Sequence, residues 1–332
     1  MTKNMKNKMI PALLAITLSS SAFLPALYAA DPIIKIDGSS TVYPITEAVA
    51  EELQAVDRKT KVIVGISGTG GGFKKFCAGE IDIANASRPI TAKEIALCAE
   101  NKIEWMEIGI AYDGLAVVVN PKNNWVSAIT IAELKKIWEP AAQEKIKQWS
   151  PVRSGWPKKE IHLFGPGADS GTFDFFTEVV VGKAKSSRGD FTASEDDNVL
   201  VQGISTDLSA LGYFGLGYYE ENKKRVKLVA VDAGNGPIFP SLKTVGDGTY
   251  PLSRPLFIYV SSKSLKKPEV NRFIAFYLEN APELSREVGY IPFPKEVQSA
   301  VDMRFNQRVA GSLYTGDGSV GKSFVSLLRG GK

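Results

Sequence analysis

Three short segments combine glycine with serine and threonine, and each lies between a strand-like run and a helix-like run. They are Gly38-Ser39-Ser40-Thr41, Ser67-Gly68-Thr69-Gly70-Gly71-Gly72 and Asp169-Ser170-Gly171-Thr172. The N-terminus of a helix presents unpaired backbone N–H groups and the positive end of the helix dipole, so it attracts anions. Glycine allows close approach to the backbone, and hydroxyl groups add donors. Helix capping explains any one segment, but three in one chain favour an anion-binding site.

Arg88 follows Ser87 at the end of a third strand-like run. A guanidinium group can form two parallel hydrogen bonds to a tetrahedral oxyanion. A surface or interdomain ion pair explains the same residue equally well. Arg88 is therefore a candidate cation for the anion site, and the alternative stays open.

The segments lie in a chain whose strand-like and helix-like stretches alternate, which is the pattern of an α/β protein. Thr91 with Glu94, and Thr130 with Glu133, have the spacing of capping boxes before helices. A further helix is predicted with Ile45, Ala48, Val49, Leu53 and Val56 on one face, and another opens at Phe73. We predict strands at residues 33–36, 61–66, 81–84, 115–119, 161–164, 213–219, 226–231 and 255–260.

The apolar run at 115–119 is typical of a strand buried on both faces. We expect one domain built from residues 31–119 and 252–332, and a second domain, residues 120–251, inserted between them. Chain crossings near residues 120 and 252 would form a hinge, which allows rigid-body closure over a ligand.

Composition excludes several classes of function. The 332 residues are 44% hydrophobic and 23% charged, as in an ordinary globular protein of two domains. Residues 1–30 hold three lysines and no acid, so the rest of the chain has 37 basic and 36 acidic residues. This near-neutral balance lacks the excess of positive charge that is typical of nucleic-acid-binding proteins. His162 is the single histidine, which argues against a metal site built on imidazoles.

Residues 1–30 are predicted to be a cleavable secretory signal. Lys3, Lys6 and Lys8 precede an apolar run from Met9 to Leu18, and small residues lead to Ala29-Ala30. The apolar run is too short to span a bilayer. We therefore expect an exported, periplasmic protein.

The two cysteines of the chain are Cys77 and Cys98. An oxidising compartment favours a disulfide between them, and the alternative is a pair of buried free thiols.

Two segments match the sequence patterns of known functional sites but lack the neighbouring elements that such sites need. Gly316–Ser323 fits the P-loop pattern, but no buried strand precedes it and few residues follow. Ser264-Leu265-Lys266-Lys267 fits S-x-x-K without the supporting motifs of that class. We interpret the first as a tail and the second as a solvated lysine run.

The run Asp37–Pro44, the glycine-rich Ser67–Phe73 and the run Ile81–Pro89 resemble the periplasmic phosphate-binding proteins of Pst-type ABC transporters. Gly165–Asp174 and Gly289–Pro292 resemble later signatures of the same family. The resemblance covers nearly all of the chain after residue 30, in the order of the family.

The resemblance implies a type II periplasmic-binding-protein fold, in which two α/β domains are joined by a two-strand hinge and phosphate lies in the cleft. The family's phosphate contacts carry over to residues of the three segments and of the third strand end. These residues are Ser40, Thr41, Thr69, Ser87, Ser170, Gly171 and Thr172.

The chain departs from the family at two positions. Pro166 stands where some members have an arginine, so Arg88 is proposed to supply the cation, with Arg188 as a second candidate. Ser87 stands where some members place a carboxylate, which accepts a proton from phosphate and repels sulfate. Asp169 is one candidate acceptor, and a helix N-terminal charge explains it equally well.

The resemblance implies a receptor that captures inorganic phosphate and delivers it to the inner-membrane subunits of an ABC permease. We expect a monomer that is not an enzyme and needs no cofactor and no nucleic-acid partner. One alternative is a receptor for sulfate or another tetrahedral oxyanion. Another is a secreted phosphatase with Ser170 or Thr172 as nucleophile, which the single histidine disfavours. A third is an extracellular adhesion or signalling protein that reuses the fold.

Overall fold

The computed structural model describes residue 1 and residues 31–168, 170–194, 196–314 and 324–330. The predicted secretory signal, Asp169 and the P-loop-like segment Gly316–Ser323 lie outside these described residues. Within them, no helix is both long enough and apolar enough to cross a membrane.

The predicted alternation of strands and helices is confirmed. The strands are β1 Ile33–Gly38, β2 Lys61–Ile66, β3 Ile83–Ala86, β4 Trp105–Val119, β5 Ala128–Thr130, β6 His162–Gly165, β7 Thr192–Ala193, β8 Ala210–Gly215, β9 Lys227–Leu228, β10 Ala230–Asp232, β11 Pro237–Ile238 and β12 Ser253–Ser261. The helices are α1 Tyr43–Val56, α2 Gly68–Cys77, α3 Ala92–Glu100, α4 Ile131–Trp138, α5 Gly171–Val181, α6 Asp197–Thr206, α7 Leu216–Asn222, α8 Leu242–Gly246, α9 Pro268–Glu287, α10 Lys295–Asn306 and α11 Phe324–Gly330.

One mixed sheet has the strand order β2-β1-β3-β12-β4-β8-β6-β7, and β9 also pairs with β4. β1 pairs in parallel with β2 and β3, so the carboxyl ends of these three strands lie at one edge. β12 pairs antiparallel with both β3 and β4. A smaller sheet has the order β11-β10-β5.

β4 joins two groups of elements. Its residues 105–114 pair with β12, and its residues 115–119 pair with β8. The strand is buried along almost its whole length, which agrees with the continuous apolar run in its sequence. The same strand therefore contributes to the core on both sides of Gly114.

The first group consists of β1, β2 and β3 with α1 and α2 packed on them, while α3 packs on α2 and α9 packs on α1. Its core includes the fully buried rings of Phe73 and Phe76, and Phe73 meets the buried ring of Tyr259 from β12 edge to face. The capping boxes of Thr91 with Glu94 in α3 and of Thr130 with Glu133 in α4 are confirmed. These boxes fix where each helix begins.

The second group consists of β6, β7 and β8 with α4, α5 and α6. Its core centres on Trp138, whose ring meets Phe176, Phe191 and Tyr213 edge to face. Phe176 also stacks on Tyr213 with ring centroids 3.6 Å apart. This aromatic cluster holds α5 in place against the sheet.

Several predicted boundaries were wrong. α2 begins at Gly68, five residues before Phe73, although glycine disfavours helices. Close packing explains Gly72, because a Cβ there would lie 2.6 Å from Cα of Gly38. The strand predicted at 213–219 ends at Gly215, where α7 follows. Val56 is 74% exposed, so it lies outside the buried face of α1.

The disulfide between Cys77 and Cys98 is present, as predicted. It connects the last residue of α2 to α3, and both sulfur-bearing residues are fully buried. The bridge therefore ties together the two helices that follow β2 and β3.

Candidate functional site

A cavity of about 350 Å³ opens at the carboxyl ends of β1, β2 and β3. In open α/β sheets, ligands bind at this edge. The lining residues from the strand ends, which we call the strand-end wall, are Ser39, Ser40, Thr41, Gly68, Thr69, Gly70, Ser87 and Arg88. The lining residues from α5 and the loop after it, which we call the α5 wall, are Asp174, Glu178, Ala184 and Lys185. Arg254 of β12 completes the lining.

The loop between β1 and α1 supplies two hydroxyl groups that reach the opposite wall. Gly38 has φ +142°, and its backbone packs against the carbonyl of Asn85, where a Cβ would lie 2.2 Å from the oxygen. This close approach lets the loop turn over the end of β3. The Ser40 hydroxyl then donates to Oδ2 of Asp174 at 3.2 Å. The Thr41 hydroxyl donates to the carbonyl of Gly171 at 3.3 Å.

The N-terminus of α2 points its first turn at the cavity through Gly68, Thr69 and Gly70. The hydroxyls of Thr69 and Ser87 are 3.1 Å apart, and the Ser87 N–H donates to Oγ1 of Thr69 at 3.2 Å. The first turn of a helix carries unpaired N–H groups and a positive partial charge. This part of the wall therefore suits an anion.

Arg88, the candidate cation of the sequence analysis, lies in the cavity wall, and its guanidinium is engaged by a neighbouring carboxylate. Nη1 and Nη2 donate to the two carboxylate oxygens of Glu94 at 2.9 and 2.8 Å. Burial opposes ionisation of Glu94, and Arg88 together with Thr91 outweighs it, so the pKa of Glu94 is lowered. The positive charge of Arg88 is thus largely matched by the carboxylate that also caps α3.

The segment Ser170-Gly171-Thr172 lies beside the cavity and does not line it. Ser170 caps α5 by accepting a hydrogen bond from the Thr172 N–H at 3.2 Å. Gly171 abuts the backbone of Thr41, and a Cβ on Gly171 would lie 2.5 Å from Cα of Thr41. The loop after β1 therefore covers the N-terminus of α5. The first turn of α5 instead presents Asp174 to the cavity.

Arg254 is one of the lining residues that the sequence analysis missed, together with Asp174, Glu178 and Lys185. Its guanidinium donates to the Thr41 hydroxyl at 3.1 Å and to Oδ2 of Asp113 at 3.3 Å. Nη1 lies 3.6 Å from a carboxylate oxygen of Glu178, and the guanidinium carbon lies 3.8 Å from the ring centroid of Phe175. Arg254 therefore contacts both walls of the cavity.

Asp113 is the buried counter-charge of Arg254. Its side chain is only 2% exposed. Burial raises the pKa of Asp113, and Arg254 acts against that effect. A carboxylate buried in this way requires a cation beside it, because an unpaired buried charge is very unfavourable. Asp113 thereby holds Arg254 in place at the point where β4 and β12 meet.

Other charged candidates lie elsewhere. Arg188 is 4% exposed, pairs with Asp190 and donates to the carbonyls of Ile137 and Ile146, so it braces the second group of elements. His162 is half-exposed and bonds to Asp207. Neither residue lines the cavity.

Comparisons with known proteins agree with this fold and cavity. A family model described as a PBP superfamily domain matches residues 26–281. The chain is 50% identical over 299 residues to protein SphX of Synechococcus elongatus, covering 90% of this chain and 88% of the relative. It is 40% identical over 277 residues to the phosphate-binding protein PstS of Staphylococcus saprophyticus, covering 81% and 84%.

Solved structures give the same result. The structure of a possible phosphate-binding protein from Planctomyces limnophilus superposes with a TM-score of 0.81 at 49% identity, covering 85% of this chain and all of that one. An ABC-type phosphate transport receptor from Vibrio cholerae superposes with a TM-score of 0.60 at 27% identity, covering 79% of this chain and all of that one. The fold is therefore that of the periplasmic-binding-protein class. Within this class, the chain belongs to the family of PstS phosphate-binding proteins.

Proposed function

We propose that this protein binds inorganic phosphate in the cavity between the strand-end wall and the α5 wall, and delivers it to an ABC permease. The observation that carries the proposal is the convergence of four hydroxyls, the N-terminus of α2 and Arg254 on one cavity of about 350 Å³. The hydroxyls are those of Ser40, Thr41, Thr69 and Ser87. Membership of the PstS family supports phosphate as the anion.

The donors of the cavity can account for tight binding. A dissociation constant in the micromolar range requires about −8 kcal/mol. Hydrogen bonds to a charged group contribute roughly 1.5–3 kcal/mol each. Several such bonds from hydroxyls and N–H groups, together with Arg254, exceed the requirement and leave a margin for dehydration and ordering.

We propose that Arg254 is the principal cation of the site and that Arg88 contributes less. Arg254 contacts both walls through Thr41 and Glu178, whereas Arg88 is bound in a two-point pair by Glu94. Arg254 thus occupies the role that the sequence analysis assigned to Arg88. The aromatic ring of Phe175 and the carboxylate of Asp113 keep its guanidinium in a fixed direction.

We propose that residues 31–119 with 252–332, and residues 120–251, move as two domains about β4 and β12. Opening would separate Gly171 from Thr41 and expose the N–H groups at the N-terminus of α5. In that state Ser170, Gly171 and Thr172 could bind the anion directly, as the resemblance implies. Closure would then bring the α5 wall onto the bound ligand.

The proposed function also implies a cellular location and partner proteins. An exported receptor would act in the periplasm, as a monomer, with the inner-membrane permease subunits as its partners. Phosphate-dependent stimulation of ATP hydrolysis by permease in vesicles, measured with and without this protein, tests the partnership.

Calorimetric titration of the purified protein, dialysed free of phosphate, tests the ligand. We expect one phosphate per chain with a micromolar or lower dissociation constant, and no heat with sulfate. Absence of phosphate binding would overturn the proposal. Sulfate binding as tight as phosphate binding would keep the anion site and overturn the assigned ligand.

A further inference from the structure

We propose that Tyr259 and Glu107 are positioning residues that connect residues 311–314 to the strand-end wall, so that docking of this segment sets the phosphate affinity. The inference rests on the proposed function, because the affinity concerned is that of the same cavity. Tyr259 of β12 and Glu107 of β4 lie directly opposite each other in the pairing of the two strands. Neither residue is among those that line the cavity.

Tyr259 supports two parts of the strand-end wall. Its hydroxyl accepts a hydrogen bond from the Ile90 N–H at 3.0 Å, and Ile90 comes shortly after Arg88. Its ring meets Phe73 of α2 edge to face, with the centroids 4.8 Å apart. The Arg88 guanidinium lies 5.7 Å from the centroid of the same Phe73 ring. A displacement of Tyr259 would therefore shift both the loop that carries Arg88 and the first turns of α2.

Glu107 fixes the direction of the Tyr259 hydroxyl. The hydroxyl donates its hydrogen to Oε2 of Glu107 at 2.6 Å, which leaves its oxygen to accept from Ile90. Oε1 of Glu107 accepts a hydrogen bond from the Leu313 N–H at 2.8 Å. Glu107 is 2% exposed. One buried carboxylate thus joins the segment 311–314 to the residue behind the wall.

Hydrogen bonds also hold the segment 311–314 against β4. The Gly311 N–H donates to the Trp105 carbonyl at 2.7 Å, and the Glu107 N–H donates to the Gly311 carbonyl at 3.2 Å. The Trp105 indole N–H donates to the Ser312 hydroxyl at 3.0 Å. Arg304 of α10 donates to the Gly311 carbonyl at 3.2 Å. Because residues 311–314 are only partly buried, these bonds contribute much of what keeps the segment docked.

Docking of the segment also favours the ionised form of Glu107. Burial raises the pKa of Glu107, and the hydrogen bonds from Tyr259, Leu313 and Ser312 and the charge of Arg304 act in the other direction. The net direction is upward. An ionised carboxylate accepts at both oxygens, whereas a protonated carboxyl donates at one of them. Undocking would remove the donors of Leu313 and Ser312, so Glu107 would hold the Tyr259 hydroxyl less firmly.

Three hydrogen bonds, which we call the relay, thus run from Leu313 through Glu107 and Tyr259 to Ile90. Coupling between two sites is reciprocal. If docking of residues 311–314 raises the phosphate affinity, bound phosphate must favour docking by the same factor. Both directions of this coupling can be measured.

Calorimetry with inorganic phosphate on wild type, Tyr259→Phe and Glu107→Gln tests the first direction. Phenylalanine keeps the ring beside Phe73 and leaves the Ile90 N–H without its acceptor. We expect Tyr259→Phe to weaken phosphate binding about fivefold, because a lost buried hydrogen bond has a modest net effect. Glutamine can accept at only one of the two positions, so we expect Glu107→Gln to weaken binding about threefold.

Ser264→Ala is the matched control. The Ser264 hydroxyl also donates to a buried carboxylate, that of Asp82, and the distance is again 2.6 Å. Asp82 lies before the amino end of β3, and Ser87 of the cavity follows its carboxyl end. We expect Ser264→Ala to lower the urea midpoint as Tyr259→Phe does and to leave the phosphate affinity unchanged.

The double variant Glu107→Gln/Tyr259→Phe tests whether Glu107 acts through Tyr259. Without the hydroxyl, Glu107 has nothing to orient, so the double variant should lose no more phosphate affinity than Tyr259→Phe alone. Losses that add in the double variant would overturn the relay.

The outcomes separate the two proposals. Wild-type protein that binds no phosphate overturns the proposed function. Wild-type protein that binds phosphate, with a folded Tyr259→Phe variant of equal affinity, overturns the inference alone. An equal loss of affinity in Ser264→Ala and Tyr259→Phe would also overturn it, because the loss would then follow from general destabilisation.

Hydrogen exchange of the wild-type amides, read by mass spectrometry, tests the second direction and needs no variant. We expect saturating phosphate to slow exchange at residues 311–314 about threefold or more, by the reciprocity of the coupling. Exchange in α10, which precedes the segment, should stay the same. Equal rates at residues 311–314 with and without phosphate, or the same slowing in α10, would overturn the inference.

Discussion

The strand-end wall and the α5 wall of the cavity differ in the charged groups that they contain. The strand-end wall offers neutral donors, and its one cation, Arg88, is matched by Glu94. The α5 wall offers charged groups of both signs, including Asp174, and Arg254 reaches it from β12. Neutral donors recognise any tetrahedral anion of suitable size. The two walls therefore differ in the charge that they present to the cavity between them.

The walls also differ in how they are held. The strand-end wall follows three neighbouring strands, and the disulfide and the α3 capping box fix the helices behind it. The α5 wall meets it through side-chain contacts such as the hydrogen bond from the Ser40 hydroxyl to Oδ2 of Asp174. The comparison teaches that one wall is built within a single group of strands and helices, whereas the other comes from α5 and, under the proposed closure, would move relative to it.

Gly171→Ala should have the largest effect on phosphate affinity. Its Cβ would lie 2.5 Å from Cα and 2.7 Å from the backbone nitrogen of Thr41, so the walls could not meet as they do here. We expect a loss of about a hundredfold or more in calorimetry. Gly189→Ala is the control, since its Cβ would meet only the Gln143 side chain at 3.6 Å. Equal affinity in both variants would show that closure does not support binding.

Arg254→Gln should come next, and it should also destabilise the fold. Removing one partner of a buried ion pair costs roughly 3–5 kcal/mol. We expect a lower urea midpoint and phosphate affinity reduced more than tenfold. Adding Asp113→Asn should restore most of the stability and little of the affinity. Recovery of affinity in the double variant would mean that Arg254 acts only as a partner for Asp113.

Arg88→Gln should weaken phosphate binding less than Arg254→Gln does. Glu94 already satisfies its guanidinium, so the cation that is lost was largely neutralised. The same titration on both arginine variants ranks the two cations. A larger loss with Arg88→Gln would place the dominant charge on the strand-end wall and reverse the comparison.

Opening the disulfide should leave phosphate affinity nearly unchanged and lower stability. Cys77 and Cys98 are 21 residues apart, and closing such a loop contributes about 3 kcal/mol in the chain-entropy model. Urea unfolding of Cys77→Ala/Cys98→Ala against wild type measures the difference. A large loss of affinity in the folded variant would show that the bridge positions the strand-end wall and does more than stabilise it.

Local sequence signals predicted the strand-end wall well. Hydroxyl and glycine residues follow strands whose alternation with helices is plain, and parallel pairing brings their ends together. The start of α2 was misplaced because helix propensity counts against Gly68–Gly72, whereas at Gly72 the close approach to Gly38 requires a residue without a Cβ. A distant contact of that kind leaves no local signal.

Arg254 and Asp174 could not be assigned from the sequence for a similar reason. Arg254 and Asp113 are charges set in apolar strands 141 residues apart, and their pairing depends on the register of β12 with β4. Asp174 and Glu178 are the two acids of a helix otherwise rich in buried phenylalanine, a spacing that puts both on one face. Charged residues within otherwise apolar elements were the signal that the sequence offered for these positions. The sequence did not show the register of β12 with β4, which decides that Arg254 pairs with Asp113.

The position of β12 in the chain limits the order in which the strands of the large sheet can pair. β3 lies between β1 and β12, and β12 is made only after the whole of the segment that carries β5 to β11. Until then β3 presents an unpaired strand edge, which invites wrong pairing. Contacts between such distant parts of a chain form slowly. The strand-end wall of the cavity is thus among the last parts of the newly made chain to be completed.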